Sequence, residues 1–187
     1  MTEFKAIDPG TRVIGQAIQP FVAAFPAELA DVGSKILEKH GIHNVNPEDY
    51  YPQQAFLNAM KEIHDTFGPQ MLFRIGEQVA THAILPPGID SLEAALSSID
   101  VAYKMNHGGS DNIGTYSYTY LGVSRGISKA KMVCENPYPS SFDRGLIEGF
   151  AKRFKPEGCE DIIVKLDDTQ PTRLTGGESC TYLISWC

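Results

Sequence analysis

Four cysteines (Cys134, Cys159, Cys180 and Cys187) and five histidines are the side chains of this 187-residue sequence best suited to hold a metal or attack an electrophile. The cysteines lie far apart, whereas a zinc knuckle needs ligands in CxxC-like pairs. The histidines, at positions 40, 43, 64, 82 and 107, show no HExxH pattern. Cys134 closes an apolar run just before a helix start, a position that favours a thiolate. Nothing in the sequence places a histidine beside it, so a cysteine nucleophile is not supported. Buried, inert thiols are the simpler reading, because free cysteine packs like a small apolar residue. There is no GxSxG elbow, and "HGGSDNIG" and "TGGES" fit neither GxGxxG nor GxxxxGK[ST]. The absence of CxxCH excludes covalent haem attachment. A helix histidine such as His82 or His107 stays open for non-covalent haem, although a histidine near a helix end reads first as a surface or capping residue.

Aromatic residues carry a stronger signal. Tyr116, Tyr118 and Tyr120 alternate along one strand, and Phe142, Phe150, Phe154, Tyr182 and Trp186 gather in the C-terminal half. Phenols and an indole suit a ligand pocket, since each offers a wide apolar surface and one polar tip. The competing readings are core filling and a dimer face.

Helices must position these residues in the first half. "VIGQAIQPFVAAF" sets Val13, Ala17, Phe21 and Phe25 four apart, with Pro20 inside the pattern, so the helix kinks there or starts late. "AELADVGSKILEKHGI", "QQAFLNAMKEIHDTF" and "GPQMLFRIGEQVATHAIL" repeat the stripe, the last with Pro69 in its first turn and "PPG" at its end. Ser91 is the N-cap of "LEAALSSIDVAYKMN". From Gly114 the period becomes that of a strand: "TYSYTYLG" turns at "VSRG" into "ISKAKMVC". Two prolines in "ENPYPSS" take the chain out of the sheet, with Glu135 and Asn136 tying the turn. Ser140 or Ser141 then caps "FDRGLIEGFAKRF", and "DIIVKL" and "CTYLISW" are further strands. The order is α+β: a helical N-terminal half packed on a small antiparallel sheet, within a single domain spanning residues 1–187.

A net charge of −7 with scattered basic residues argues against nucleic-acid binding. No run of about twenty apolar residues and no signal-like start is present, so neither a membrane nor export is expected, and the cytoplasm is the simplest location.

The hairpin ending in "VCENPYPSSFDRGLIEGFAKRF" and the close "TGGESCTYLISW" resemble the 4-vinyl reductase domain, mainly over residues 110–187. That group sits in a superfamily with TRAPP subunits of Golgi transport and haem–nitric-oxide-binding domains. The resemblance implies a homodimeric ligand-binding module whose pocket lies between helices and sheet, sensing a small, largely apolar or aromatic molecule and signalling through its dimer state or a downstream partner. On that reading Tyr116, Tyr118, Tyr120, Tyr138, Phe150 and Trp186 bind the ligand and no residue is catalytic. A tetrapyrrole enzyme or accessory protein and an assembly subunit are the alternatives, and no dinucleotide fingerprint supports the former. Some relatives hold zinc through cysteines at the corner. Here Cys180 matches, Cys134 is a substitute from the strand side, and Thr169, Thr172 and Ser140 or Ser141 stand at the other ligand positions. Zinc is therefore left with an incomplete set. The haem-domain relatives grip propionates with YxSxR. "YPSSFDR" offers Tyr138, Ser140, Ser141 and Arg144 at another spacing, so haem is not expected.

Overall fold

The computed structural model describes residues 3–85 and 87–187. Six helices, α1 (Gly15–Ala23), α2 (Ala30–Lys39), α3 (Gln53–Phe67), α4 (Pro69–His82), α5 (Leu92–Met105) and α6 (Ser140–Arg153), combine with two antiparallel sheets. A small sheet joins β1 (Arg12–Ile14), β2 (Tyr50–Pro52) and β3 (His107–Gly108) in the order β2-β1-β3. The larger one joins β4 (Thr115–Ser124), β5 (Ile127–Glu135), β6 (Ile162–Leu166) and β7 (Cys180–Trp186) in the order β4-β5-β7-β6. This is the α+β architecture that the hydrophobic periods predict.

Details differ where local chemistry overrides pattern. α1 begins at Gly15, two residues into the apolar pattern, and continues past Pro20 to Ala23. α4 stops at His82, ahead of "PPG", whose Pro86 lies outside the described residues. Ser91 does cap α5, accepting from the Ala94 amide at 3.2 Å. Neither Ser140 nor Ser141 caps α6. The helix begins at Ser140, and its amide donates instead to Glu3 Oε1 at 2.7 Å, so a carboxylate from the other end of the chain satisfies the free N–H. The β4–β5 turn falls on Arg125 and Gly126, both with positive φ (53° and 77°), which is the two-residue geometry that matches strand twist.

One face of the larger sheet, with Ala130, Met132, Cys134, Val164, Tyr182 and Ile184, is buried. α6 lies against both this sheet and α4. Its crossing with α4 is close because glycines meet backbone: a Cβ on Gly145 would sit 2.0 Å from the Phe73 carbonyl oxygen, and one on Gly76 would sit 2.2 Å from that of Phe142. The two helices therefore touch at Gly76 and Gly145. The larger side chains Val79, Phe142, Leu146 and Phe150 are left to wall a space beside the crossing.

Candidate functional site

That space is an apolar cavity of ≈ 70 Å³. Val13 of β1, Ala17 of α1 and Phe56 of α3 close one side, while Val79 and Ala83 from α4 and Phe142, Leu146 and Phe150 from α6 close another. α5 contributes Ile99, Ala102 and Tyr103, and Asn106 follows, a run at i, i+3, i+4 and i+7 that places all four on one helical face. A neighbouring surface cleft shares Ala17, Val79, Ala83, Ala102 and Asn106 with the cavity, so only these side chains separate the two.

Polar groups concentrate at one end. His107 Nδ1 contacts the Tyr103 carbonyl oxygen at 2.7 Å and its Nε2 contacts Tyr138 Oη at 2.8 Å. Burial pushes His107 down to about 4, so the ring is neutral at pH 7. With Nδ1–H donating to the carbonyl, Nε2 is left with its lone pair toward the phenol. Tyr138 stacks on Phe142 with ring centroids 5.2 Å apart, and Tyr103 meets Tyr116 edge-on at 5.2 Å. Tyr103 donates its hydroxyl to the Ile113 carbonyl oxygen. Beside Tyr103 and Tyr138 lies the fully buried side-chain amide of Gln53.

Beside Tyr116 and Tyr138 lies a buried ion pair, Asp143 with Arg173. Tyr116 Oη donates to Asp143 Oδ1 at 2.6 Å, and Arg173 donates to the carbonyl oxygens of Cys134 (3.0 Å) and Asn136 (2.7 Å). Asn136 Oδ1 accepts from the Tyr138 amide at 2.9 Å, the turn tie expected of that residue. Burial pushes Asp143 up, opposed by the guanidinium, Tyr116 and Asn136. Burial also pushes the Cys134 thiol well up, the behaviour of a buried, inert thiol rather than of a thiolate at a helix start. Cys134 and Cys180 face each other across β5 and β7, both buried, with Arg173 nearby. Among the described residues no group of three His, Cys, Asp or Glu side chains is placed to hold a metal ion.

Of the residues proposed from sequence, Tyr116, Tyr138 and Phe150 line the cavity together. Tyr118 and Tyr120 do not, because β4 runs out of the core: Tyr118 is half-buried and Tyr120 is 41% exposed. Trp186 is buried at the far end of β7 against Tyr120, with ring centroids 6.1 Å apart. Sequence reasoning does not single out Tyr103 or Gln53, places Phe142 only within the C-terminal aromatic cluster, and takes His107 first as a surface or capping residue while leaving it open for haem. The i, i+3, i+4, i+7 face of α5 was the available signal. No helix among the described residues is long and apolar enough to cross a membrane.

No protein-family model matches the sequence, and no curated protein matches it. Solved structures do. An H-NOX protein from S. oneidensis in the Fe(II)NO ligation state superposes with a TM-score of 0.65 at 12% identity, covering 93% of this chain and 99% of the other. A structure described by the modulation of heme redox potential through porphyrin distortion gives 0.60 at 15%, covering 92% and 98%. An oxygen-binding H-NOX domain related to soluble guanylate cyclases gives 0.58 at 15%, covering 92% and 90%. The expectation against haem is thereby corrected. The spacing of YxSxR concerns the propionates alone, and a fold shared with haem proteins returns haem to the candidate ligands. The chain has the fold of H-NOX domains, and beyond that fold the resemblance to the 4-vinyl reductase domain is not shown.

Proposed function

We propose that this chain is a non-catalytic ligand-sensing domain and that its ligand occupies the cavity between α1, α4, α5 and α6, with His107 and Tyr138 as its polar contacts. The observation that carries the reading is a neutral imidazole, tied by one nitrogen to a backbone carbonyl, presented at the wall of an apolar cavity. The buried amide of Gln53 beside Tyr103 and Tyr138 adds a further polar group at that end of the cavity.

Two ligands meet this description. Haem is favoured by the fold neighbours and by the imidazole, since metal-bound histidines characteristically have their second nitrogen fixed by a carbonyl or carboxylate. His107 would be the protein ligand, Phe142, Leu146 and Phe150 would pack the macrocycle, and bound haem would supply an iron site for a diatomic gas. The cavity is smaller than the ~300–1,000 Å³ of ordinary ligand sites, so this ligand requires Tyr138 to leave His107 and α1 to part from α5. That movement is itself a signal. A small, largely apolar molecule is favoured by the volume, since ≈ 70 Å³ accepts a compact guest with the walls as they stand. Either occupant changes the packing of α5 and α6 on the sheet, and the output passes to a second copy of the chain or to a partner.

Expression with a haem precursor, followed by absorption spectroscopy with and without nitric oxide, separates the two. A Soret band that shifts with the gas and is lost in His107→Ala supports haem. No Soret band, with small apolar compounds raising the melting temperature, supports the second ligand. Failure of both would refute the sensing reading.

A further inference from the structure

A pair of thiols outside this site is set up for oxidation. Cys159 lies in the connection between α6 and β6, and Cys187 follows the last residue of β7. Pairing of Ile162 with Trp186 in the β6–β7 ladder brings Cys187 back alongside the residues that precede β6. A turn closed by the Cys159 amide on the Pro156 carbonyl oxygen (3.1 Å) aims Cys159 at the same point. The two Sγ atoms stand 3.0 Å apart, and Cys159 Sγ also contacts the Asp161 carbonyl oxygen at 3.3 Å. A bond length of ~2.05 Å requires a closure of about 1 Å. We propose that Cys159 and Cys187 form a reversible disulfide in response to a peroxide, clipping the α6–β6 connection to the end of β7.

The chemistry balances with the peroxide as two-electron oxidant. Cys187 is exposed, and its contact with the Cys159 sulfur together with nearby backbone groups holds its thiol below the usual range, whereas Cys159 is held above it. The Cys187 thiolate attacks one peroxide oxygen, the O–O bond breaks, and a sulfenic acid forms while the departing hydroxide takes up the proton that the thiol released, as water. Cys159 then attacks the sulfenic sulfur: the S–S bond forms, the S–O bond breaks, and the departing hydroxide takes the Cys159 proton as water. A dithiol reductant reverses the step by exchange. The buried thiols Cys134 and Cys180, held high by desolvation, stay reduced. The neighbouring Trp186 is the only tryptophan in the chain and reports the closure.

The test treats the reduced full chain with hydrogen peroxide and follows free thiols, intact mass, disulfide-mapped peptides and tryptophan emission. The expected result is a fall from four free thiols to two, loss of two hydrogens, a peptide linking residues 159 and 187, and a change in Trp186 emission. Closing a loop of this length should raise the melting temperature by roughly 10 °C, reversed by dithiothreitol. Cys159→Ser should halt at a sulfenic acid trapped by a dimedone-type probe, and Cys187→Ser should resist the peroxide. A sulfinic acid on Cys187 with Cys159 still free, a link between Cys134 and Cys180, or a link only between chains would overturn the proposal. None of these readouts depends on the ligand site.

Discussion

Acid should weaken this fold through His107 in a way that a single substitution removes. Its ring is half-buried against Tyr103 and Tyr138, and desolvation takes its pKa from an ordinary 6.5 to about 4. No carboxylate makes a hydrogen bond to either ring nitrogen; the partners are a backbone carbonyl and a phenol. Because the folded-state value is the lower one, the unfolded chain takes up the proton first as pH falls. The stability contributed by the neutral ring is intact above about 6.5 and is lost progressively down to about 4. With 1.36 kcal/mol per unit, linkage gives a loss of about 2 kcal/mol at pH 5 and about 3 kcal/mol at pH 4 in the ligand-free chain. Urea unfolding of the wild-type chain and of His107→Gln at pH 7, 6, 5 and 4 measures it. Carboxylates such as Glu62, held low by Lys39 and His40, contribute equally to both proteins and cancel. The wild-type curve should fall away from the variant's by these amounts below pH 6.5 and run parallel above it. Parallel curves throughout would mean that the ring is solvated or already charged, and the picture of a neutral imidazole at the cavity wall would fail.

Other perturbations test the walls and supports of the same site. Gly145→Ala should cost about 1–3 kcal/mol in urea unfolding, because its methyl meets the Phe73 carbonyl and must push α6 off α4. Ala102→Phe should plug the opening that α5 shares with α1 and α4, abolishing the thermal shift given by a bound ligand; unchanged binding would place the entrance elsewhere. Arg173→Met and Asp143→Leu should each lower stability by about 3–5 kcal/mol through the stranded partner charge, while the double substitution should cost much less than their sum. Additive losses would show that the two residues are not paired.

The hydrophobic periods were enough to place α3, α5 and the β4–β5 hairpin, because each is an uninterrupted amphipathic run with a local stop. Tyr116 and Tyr138 were legible as cavity residues for a related reason: one sits on the inner face of an alternating strand, the other at a corner that prolines force open. Tyr120 failed that reasoning. Alternation fixes which face a side chain takes, but not how far the strand extends past the core, and β4 outruns the helix packed on it. The α6 cap was invisible because its acceptor, Glu3, lies 137 positions away. Arg173 carried no signal either. It stands in an irregular segment, and only the return of β7 beside β5 brings it under the corner. The expectation against haem rested on a propionate motif, which says nothing about where an imidazole lies.

The buried ion pair has a purpose that stability alone does not supply, since apolar replacements of similar volume can match such pairs in energy. Two phenols of the cavity wall hang from it. Tyr116 is held directly through Asp143, and Tyr138 is held through Asn136, whose side-chain oxygen is shared by the Tyr138 amide (2.9 Å) and Arg173 (3.1 Å). Tyr138 in turn fixes the Nε2 side of His107. Each link is a hydrogen bond in a desolvated setting, where geometry is enforced more strictly than at a surface. The polar end of the cavity is thus anchored to the sheet, while its apolar end is made of helices that meet through glycine and alanine. A ligand that pushes on the walls meets unequal resistance. On the proposed function, the alanine-lined side of α1, α4 and α5 would yield first, while the backbone of the corner beside β5 and β7 holds.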